Sequence, residues 1–368
     1  MDIDTSNPDR DREIALELCA EAAVVWYEPE ATGEKRIDAV RLAWAWVASV
    51  LRYDGKQPPR EHDEFMSLLE RPVEEWLGVP AIEGPLVKVG AATPLALDIV
   101  ALTGGANPEI EKIQALIGEI KKTLEAREDG EKEYRKIRRF VIDHATATVD
   151  EAQIALVAAR RAPQDLFEKI PPSYTKFIGP TEVFYPCPRC KWPLRLLNPV
   201  QCESEICRLE GAVFEKKRGR FTALAEKEPP EPVPVNGRLR LQPVFWRFTL
   251  QPGLVEKDLE LRLKRTPGVK VTLWPFVDRF DLRVKAGQKS WDVDVKDWIA
   301  HWKLAKNLRE KHTTKGMYIV VPDWRSHQIN ILDDRCGDLG LHFFTVTKFV
   351  TMVKSAMNRK GGGCEKSR

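Results

Sequence analysis

The chain has 368 residues, 43% of them hydrophobic, enough to bury more than one core. A formal net charge of only +3 excludes a protein-wide basic field, so any surface for nucleic acid has to be local. No apolar run is long enough to cross a bilayer and the opening Met-Asp-Ile-Asp is not a signal peptide, so a cytoplasmic protein is expected. Seven cysteines fit that compartment if four of them bind metal and the others are free thiols.

In chain order, residues 9–170 read as mainly helical, and a helical domain is expected over residues 1–175. Residues 11–26 are rich in Ala, Leu and Glu, and Ile37, Val40, Ala43, Trp44, Val47 and Leu51 recur at helical spacing. A Pro/Gly-rich patch at residues 78–94 interrupts the pattern. Pro108 then opens a helix with an apolar stripe of Ile110, Ile113, Leu116, Ile117, Ile120 and Leu124. Trp26, Trp44, Trp46 and Trp76 read as core or interface aromatics, with a partner-docking surface as the alternative. The basic run Lys132, Arg135, Lys136, Arg138, Arg139 reads as a solvated helix face. A phosphate-binding face is the alternative, and the acids just before it argue against that.

Cys187-Pro-Arg-Cys190 and Cys202-Glu-Ser-Glu-Ile-Cys207 follow. Two close cysteine pairs separated by a short loop are the spacing of a zinc ribbon, expected here over residues 176–225. Four thiolates complete a tetrahedral shell and leave no open position, so a structural Zn²⁺ at Cys187, Cys190, Cys202 and Cys207 is expected. Too few apolar residues surround them for an independent core, so the metal would supply much of the local folding free energy. Arg189, Lys191, Arg195, Arg208, Lys216, Lys217, Arg218 and Arg220 with Trp192 and Phe221 form a candidate nucleic-acid surface, a solvated surface being the alternative. Residues 226–236 are proline-rich and read as an extended linker.

The C-terminal region, residues 237–360, opens with a strand-like stretch at 239–250. A helix follows at 252–265, with Leu254, Leu259, Leu261 and Leu263 available for packing. A strand at 269–274 precedes two further strands joined by Ala286-Gly-Gln-Lys289, a connection suited to a hairpin. Trp291, Val293 and Val295 share one face of the second hairpin strand, while Asp292, Asp294 and Lys296 line the other. Pairing the two strands brings Asp281 near Asp294. Two carboxylates at that distance repel each other, a divalent cation removes the repulsion, and Lys296 then sits beside it. Asp278 competes with Asp281 for this role, and Asp292 is a candidate outer partner. A basic amphipathic helix from Trp298 (Lys303, Lys306, Arg309, Lys311), apolar strands at 316–322 and 341–346, a closing helix at 347–358 and a polar tail at 361–368 complete the chain. His312, His327 and His342 read as structural or surface residues.

An Asp, a gap, then Asp-x-Lys on the next strand resembles the PD-(D/E)xK restriction-endonuclease-like superfamily, the matching residues being Asp281, Asp294 and Lys296. The resemblance implies an α/β domain with a mixed central sheet: a helix, a three-strand meander, a helix and a further strand. It implies Mg²⁺ (or Mn²⁺) held by Asp281 and Asp294, and a lysine assisting the attacking water. It also implies a Glu on the first helix completing the site, for which Glu256 and Glu260 are the candidates. The wording Asp-Arg-Phe-Asp-Leu with Val-Asp-Val-Lys-Asp-Trp, behind a helical region and a four-Cys ribbon, resembles the nuclease protein of bacterial PIWI-RE three-gene conflict systems. That implies a helicase and a prokaryotic PIWI protein as partners, in defence against invading nucleic acid.

The expectation is therefore a metal-dependent endonuclease acting on nucleic acid, with DNA the expected substrate and a homodimer favoured if two cuts are made. The alternatives are a non-catalytic nucleic-acid-binding or assembly subunit with a zinc ribbon, and a ribbon regulator whose Asp-x-Lys strand is a charged edge.

Overall fold

The structure is a computed structural model and describes residues 8–28, 31–88, 90–103, 108–196, 199–217, 220–224, 228–310 and 315–358. Two units emerge, and neither is one continuous stretch of chain. The first gathers Met1–Asn107, Trp298–Thr313 and His327–Leu339; the second gathers Pro108–Asp297, Thr314–Ser326 and Gly340–Arg368.

Helix packing builds the first unit. The Pro8–Tyr27 helix places Ala15, Leu16, Cys19, Ala20 and Ala23 on one face. The Gly33–Tyr53 helix answers with Val40, Ala43, Val47, Val50 and Leu51. Alanines at this seam let the two backbones approach closely, as ridges into grooves require. Phe65, Leu69, Val73, Trp76 and Leu77 extend the same core, and Ile299, Ala300 and Trp302 complete it from much later in the chain. Trp302 Nε1 donates to Glu17 Oε1 at 2.7 Å, His301 Nε2 lies 2.9 Å from the Pro80 carbonyl, and Arg335 pairs with Glu13 at 2.6 Å. The His301–Glu310 helix is amphipathic as its sequence foretells. Its cations are met by acids: Lys303 by Glu17, Lys306 by Glu310 and Arg309 by Asp338. Lys311 and His312 lie outside the described residues. Trp76 is buried, and Trp26, Trp44 and Trp46 pack partly buried against this core, so all four serve packing.

The second unit is organised on a five-stranded mixed sheet. Its order is Val269–Leu273, Leu282–Ala286, Lys289–Val295, Tyr318–Val321, His342–Thr345. The first three strands form an antiparallel meander and the last two add in parallel. The hairpin pairs Ala286 with Lys289, leaving Gly287-Gln288 as a two-residue turn; Gly287 takes φ 62°, the first-position glycine such turns favour. Trp291, Val293 and Val295 are buried, and Ile319, Val320 and Val321 are fully buried, as a central strand covered on both faces requires. Val255, Leu259 and Leu263 of the Gln251–Lys264 helix and Phe349, Val350 and Val353 of the Val346–Asn358 helix share one core with the sheet. Leu261, expected in that packing, is 54% exposed.

Two glycines fix how the Gly130–Asp143 helix meets this domain. A Cβ on Gly253 would stand 2.4 Å from Ile142 Cδ1, so the two helices touch where only a hydrogen fits. A Cβ on Gly130 would collide with the Leu124 carbonyl, so the turn between the Pro108–Glu125 and Gly130–Asp143 helices needs glycine. Of the expected stripe, Ile120 and Leu124 are buried and Leu116 and Ile117 pack partly buried against the core; the side chains of Ile110 and Ile113 lie outside the described residues.

The stretch expected as a strand at 239–250 is one only as far as Leu241. Pro243 then starts a helical turn, a position where its missing N–H costs nothing, and Trp246–Leu250 forms a π turn leading into the Gln251–Lys264 helix. Trp246 stacks on Trp192 at 4.4 Å and 14°, a contact that an extended chain would forfeit. Within the proline-rich segment, Val233–Pro234 pairs with Thr181–Phe184 as a short strand. Residues 225–227 and the tail 361–368 lie outside the described residues.

Candidate metal centre and candidate active site

Both cysteine pairs sit in tight turns. The Cys187 N–H donates to the Trp192 carbonyl at 2.8 Å, and the Lys191 N–H donates to the Cys187 carbonyl at 3.0 Å with Lys191 at φ 62°. Cys202 donates to the Ala212 carbonyl and Ala212 to that of Cys207, closing the second loop. Cys207 lies on the short Glu205–Leu209 helix, which accounts for the four residues between the second pair. The result is four buried sulfurs within 4.8 Å of one another. Cys190 and Cys202 are 3.7 Å apart as free thiols. A tetrahedron with metal–sulfur bonds of about 2.3 Å has a sulfur–sulfur edge of about 3.8 Å, so a tetrahedral thiophilic ion fits this spacing.

Neighbouring side chains donate to the sulfurs. Trp246 Nε1 reaches Cys190 Sγ at 3.4 Å, and Arg189 Nη1 and Gln251 Nε2 reach Cys207 Sγ at 3.7 and 3.8 Å. Such donors orient the ligands and stabilise thiolate charge. Hydrogen bonding from Cys187, Cys190 and Cys202 draws the Cys207 thiol well below its usual range, while burial pushes Cys190 and Cys202 well above theirs. Arg189 and Trp192, expected on a nucleic-acid surface, are not there. Arg189 is held by Cys207, by Gln251 at 2.8 Å and by Glu210 at 3.3 Å, and Trp192 is fully buried. Arg195 faces Glu203 at 3.7 Å. The side chains of Lys217, Arg218 and Arg220 lie outside the described residues.

The second constellation grows from the hairpin. Continuing the register Arg283↔Asp292, Leu282↔Val293 by one residue sets Asp281 opposite Asp294. Asp281 Oδ2 accepts from the Val295 N–H at 2.6 Å, which pins that carboxylate against the partner strand. Lys296 Nζ lies 2.7 Å from Asp294 Oδ2, and its N–H donates to the Val320 carbonyl, so the lysine is fixed by the central strand. One step along the same face, Arg283 forks Asp292 at 2.7 and 2.9 Å. Asp292 is thereby committed to Arg283. Asp297 lies 3.3 Å from both Trp324 Nε1 and Arg325 Nε.

Glu256 and Asp278 join this cluster. Glu256 is 1% exposed; one of its oxygens accepts from Arg138 Nη2 at 2.8 Å and the other from Trp274 Nε1. Glu260, one turn on, instead pairs with Lys264 at 2.6 Å and lies 3.9 Å from Arg139. Of the two candidate glutamates, only Glu256 adds its charge to that felt by Asp281. Asp278 accepts from Tyr134 Oη at 2.7 Å and pairs with Lys121 at 3.0 Å and Arg138 at 3.3 Å. It stands in a turn where Trp274, Phe276, Val277 and Asp278 all take left-handed φ values of 47–66°. Each such residue costs about 1–2 kcal/mol, and the arrangement persists because Trp274 and Asp278 are both tied to the cluster.

Charge governs the site. Burial pushes the Asp281 carboxyl well above the usual range, Glu256 and Asp294 add to the rise, and Lys296 opposes it. Burial likewise raises Glu256 against the pull of Arg138. Burial works against the charge on Lys296, but Asp294 and Asp281 outweigh it and raise its pKa. Without a metal ion, the two aspartates thus favour the charged form of Lys296. Among the described residues, the acids do not close to the mutual spacing reached by the cysteines. Hard carboxylate oxygens that repel one another nevertheless suit a divalent ion such as Mg²⁺.

Residues 253–361 match the family model described as REase associating with pPIWI_RE. The segment is thus similar to a restriction-endonuclease-like family, and Glu256, Asp281, Asp294 and Lys296 fall within the matched span. No curated protein and no solved structure matches the chain. Lys121, Tyr134 and Arg138 lie outside the restriction-endonuclease-like segment yet reach its acids. Sequence reasoning placed Arg138 on a solvated face. The available signal was that Arg138 follows Tyr134 by four residues, next to the buried stripe Tyr134, Ile137, Val141.

Proposed function

We propose that the protein is a metal-dependent nuclease that hydrolyses phosphodiester bonds, with DNA as substrate, in a defence system that includes a prokaryotic PIWI protein and a helicase. The observation that carries this reading is the placement of Asp281 opposite Asp294 with Lys296 2.7 Å from Asp294. Asp281 and Asp294 would hold Mg²⁺ or Mn²⁺, which when bound neutralises phosphate charge and acidifies a water. The Val295 N–H keeps Asp281 aimed, and Asp294 holds the Lys296 ammonium beside the reacting phosphate. There Lys296 orients the water or meets a phosphate oxygen as negative charge grows. The four cysteines would hold a structural Zn²⁺. A cytoplasmic location accords with cysteines kept as thiols, and no helix among the described residues is long and apolar enough to cross a membrane. A homodimer would supply two cutting sites.

The test is cleavage of single- and double-stranded DNA and RNA with Mg²⁺ or Mn²⁺, alone and with the two partners. Asp294→Ala and Lys296→Ala should each lower the rate by about 10²-fold or more. Wild-type cleavage that survives both substitutions removes the reading. A second reading, a nucleic-acid-binding assembly subunit, draws on the internal pairing of both Glu256 oxygens. It predicts binding without metal-dependent cleavage under every condition, partners included.

A further inference from the structure

We propose that Arg138 is a built-in cation standing where a second metal ion would bridge Glu256 and Asp281, so that the acid site takes one divalent ion, on Asp281 and Asp294. This rests on the nuclease reading and specifies the site further. Arg138 Nη2 lies 2.8 Å from Glu256 Oε1 and 3.9 Å from Asp281 Oδ1, while Nη1 lies 3.3 Å from Asp278 Oδ2. The guanidinium thus stands between the helix carboxylate and the hairpin carboxylate. Trp274 Nε1 takes the remaining oxygen of Glu256, so both oxygens of that residue have partners within the protein.

The cation cannot be displaced cheaply. Its guanidinium lies 5.4 Å from the centre of the Trp274 ring, and Ile142 on the same helix is locked against Gly253. A guanidinium does not lose its proton in proteins, so its charge is permanent. Its departure would leave Glu256 and Asp278 buried without it. Formal charge points the same way. Among the described residues, the ion pairs of the cluster set four carboxylates (Glu256, Asp278, Asp281, Asp294) against three cations (Lys121, Arg138, Lys296). The imbalance is one negative charge. One divalent ion reverses it by a single unit, suited to a phosphodiester anion; two ions would leave three uncompensated positive charges in a buried site. Glu256 is on this view a positioning residue for Arg138, and Arg138 a positioning residue for the acids.

The experiment counts Mn²⁺ bound to zinc-loaded full-length protein by calorimetric titration and by its EPR signal. Wild type should bind one ion that Asp294→Asn abolishes. Arg138→Gln frees Glu256 and should bind two, while Arg138→Lys keeps the charge and should bind one. Glu256→Gln should still bind one, with affinity within about threefold of wild type. This variant leaves Arg138 paired with Asp278, and it decides the matter if circular dichroism shows Arg138→Gln unfolded. Two ions in wild type, or an affinity loss of about tenfold or more in Glu256→Gln, would overturn the proposal and leave the nuclease reading intact. So would an unchanged count in folded Arg138→Gln. No ion sensitive to Asp294→Asn in wild type would remove the nuclease reading, and this proposal with it.

Discussion

The cysteine cluster and the acid cluster lie in the same unit and solve the problem of crowded ligands in opposite ways. The four sulfurs come within 4.8 Å of one another, with N–H donors from Trp246, Arg189 and Gln251 around them. No lysine or arginine stands between Cys190 and Cys202, 3.7 Å apart. The four carboxylates are held apart, with Arg138 between Glu256 and Asp281 and Lys296 against Asp294. Thiols such as Cys190 and Cys202, raised by burial, hold their protons until metal arrives, so the sulfurs can be gathered in advance. Carboxylates are charged at neutral pH, so a fold that buries them has to carry its own counter-charges. The first arrangement suits an ion that stays for the life of the fold; the second suits one that is exchanged.

This contrast can be broken by experiment. Replacing Cys202 with Ser should have the largest effect, because structural zinc contributes on the order of 10 kcal/mol to the folding of small metal-dependent regions. The variant should lose bound zinc by atomic absorption and should expose the region around Trp192 to protease. Zinc retained at one equivalent would break the contrast. Removing Arg138 by Arg138→Ala should destabilise the protein by about 3–5 kcal/mol, as expected when one partner of a buried ion pair is deleted; denaturant unfolding measures this. A loss below about 1 kcal/mol would mean the acids do not need an internal cation. Trp246→Phe keeps the ring on Trp192 but deletes the donor to Cys190, and should weaken zinc binding about 10- to 100-fold in competition with a chromogenic chelator.

The smallest effect sharpens the comparison through pH. An aspartate whose folded pKa is raised binds its proton more tightly folded than unfolded. Its stabilising contribution is present below the unfolded pKa of about 3.9 and is lost as pH rises through the higher folded value. Burial raises Asp281 in this way, with Glu256 and Asp294 adding to the rise. Metal-free Asp281→Asn should therefore melt a few degrees above metal-free wild type at pH 7, a gain on the order of 1 kcal/mol. The difference should vanish toward pH 4, and excess Mn²⁺ should stabilise wild type and not the variant.

What could be read from the sequence was local. Asp281 meets Asp294 because strand alternation and the Gly287 turn dictate register, and the two flank a single hairpin. The cysteines carry their geometry in their spacing. Arg138 was not legible as a member of the site because 118 residues separate it from Glu256, and a basic run reads as solvated until the tertiary contact is known. Residues 239–250 misled because apolar alternation fits a strand as well as a buried turn; Pro243 and the stacking of Trp246 on Trp192 decide for the turn. Glu256 and Glu260 could not be separated by spacing, since they lie one turn apart and only packing tells which meets Arg138.

The discontinuity of the first unit bears on how the protein is made. Ile299, Ala300 and Trp302 complete a core whose other members are finished by residue 99. A ribosome adding about 5–20 residues per second needs on the order of ten seconds or more to deliver the missing pieces. Throughout that interval the nascent helices have an uncovered apolar seam, a natural handhold for chaperones. Slower translation across the intervening region would lengthen that exposure.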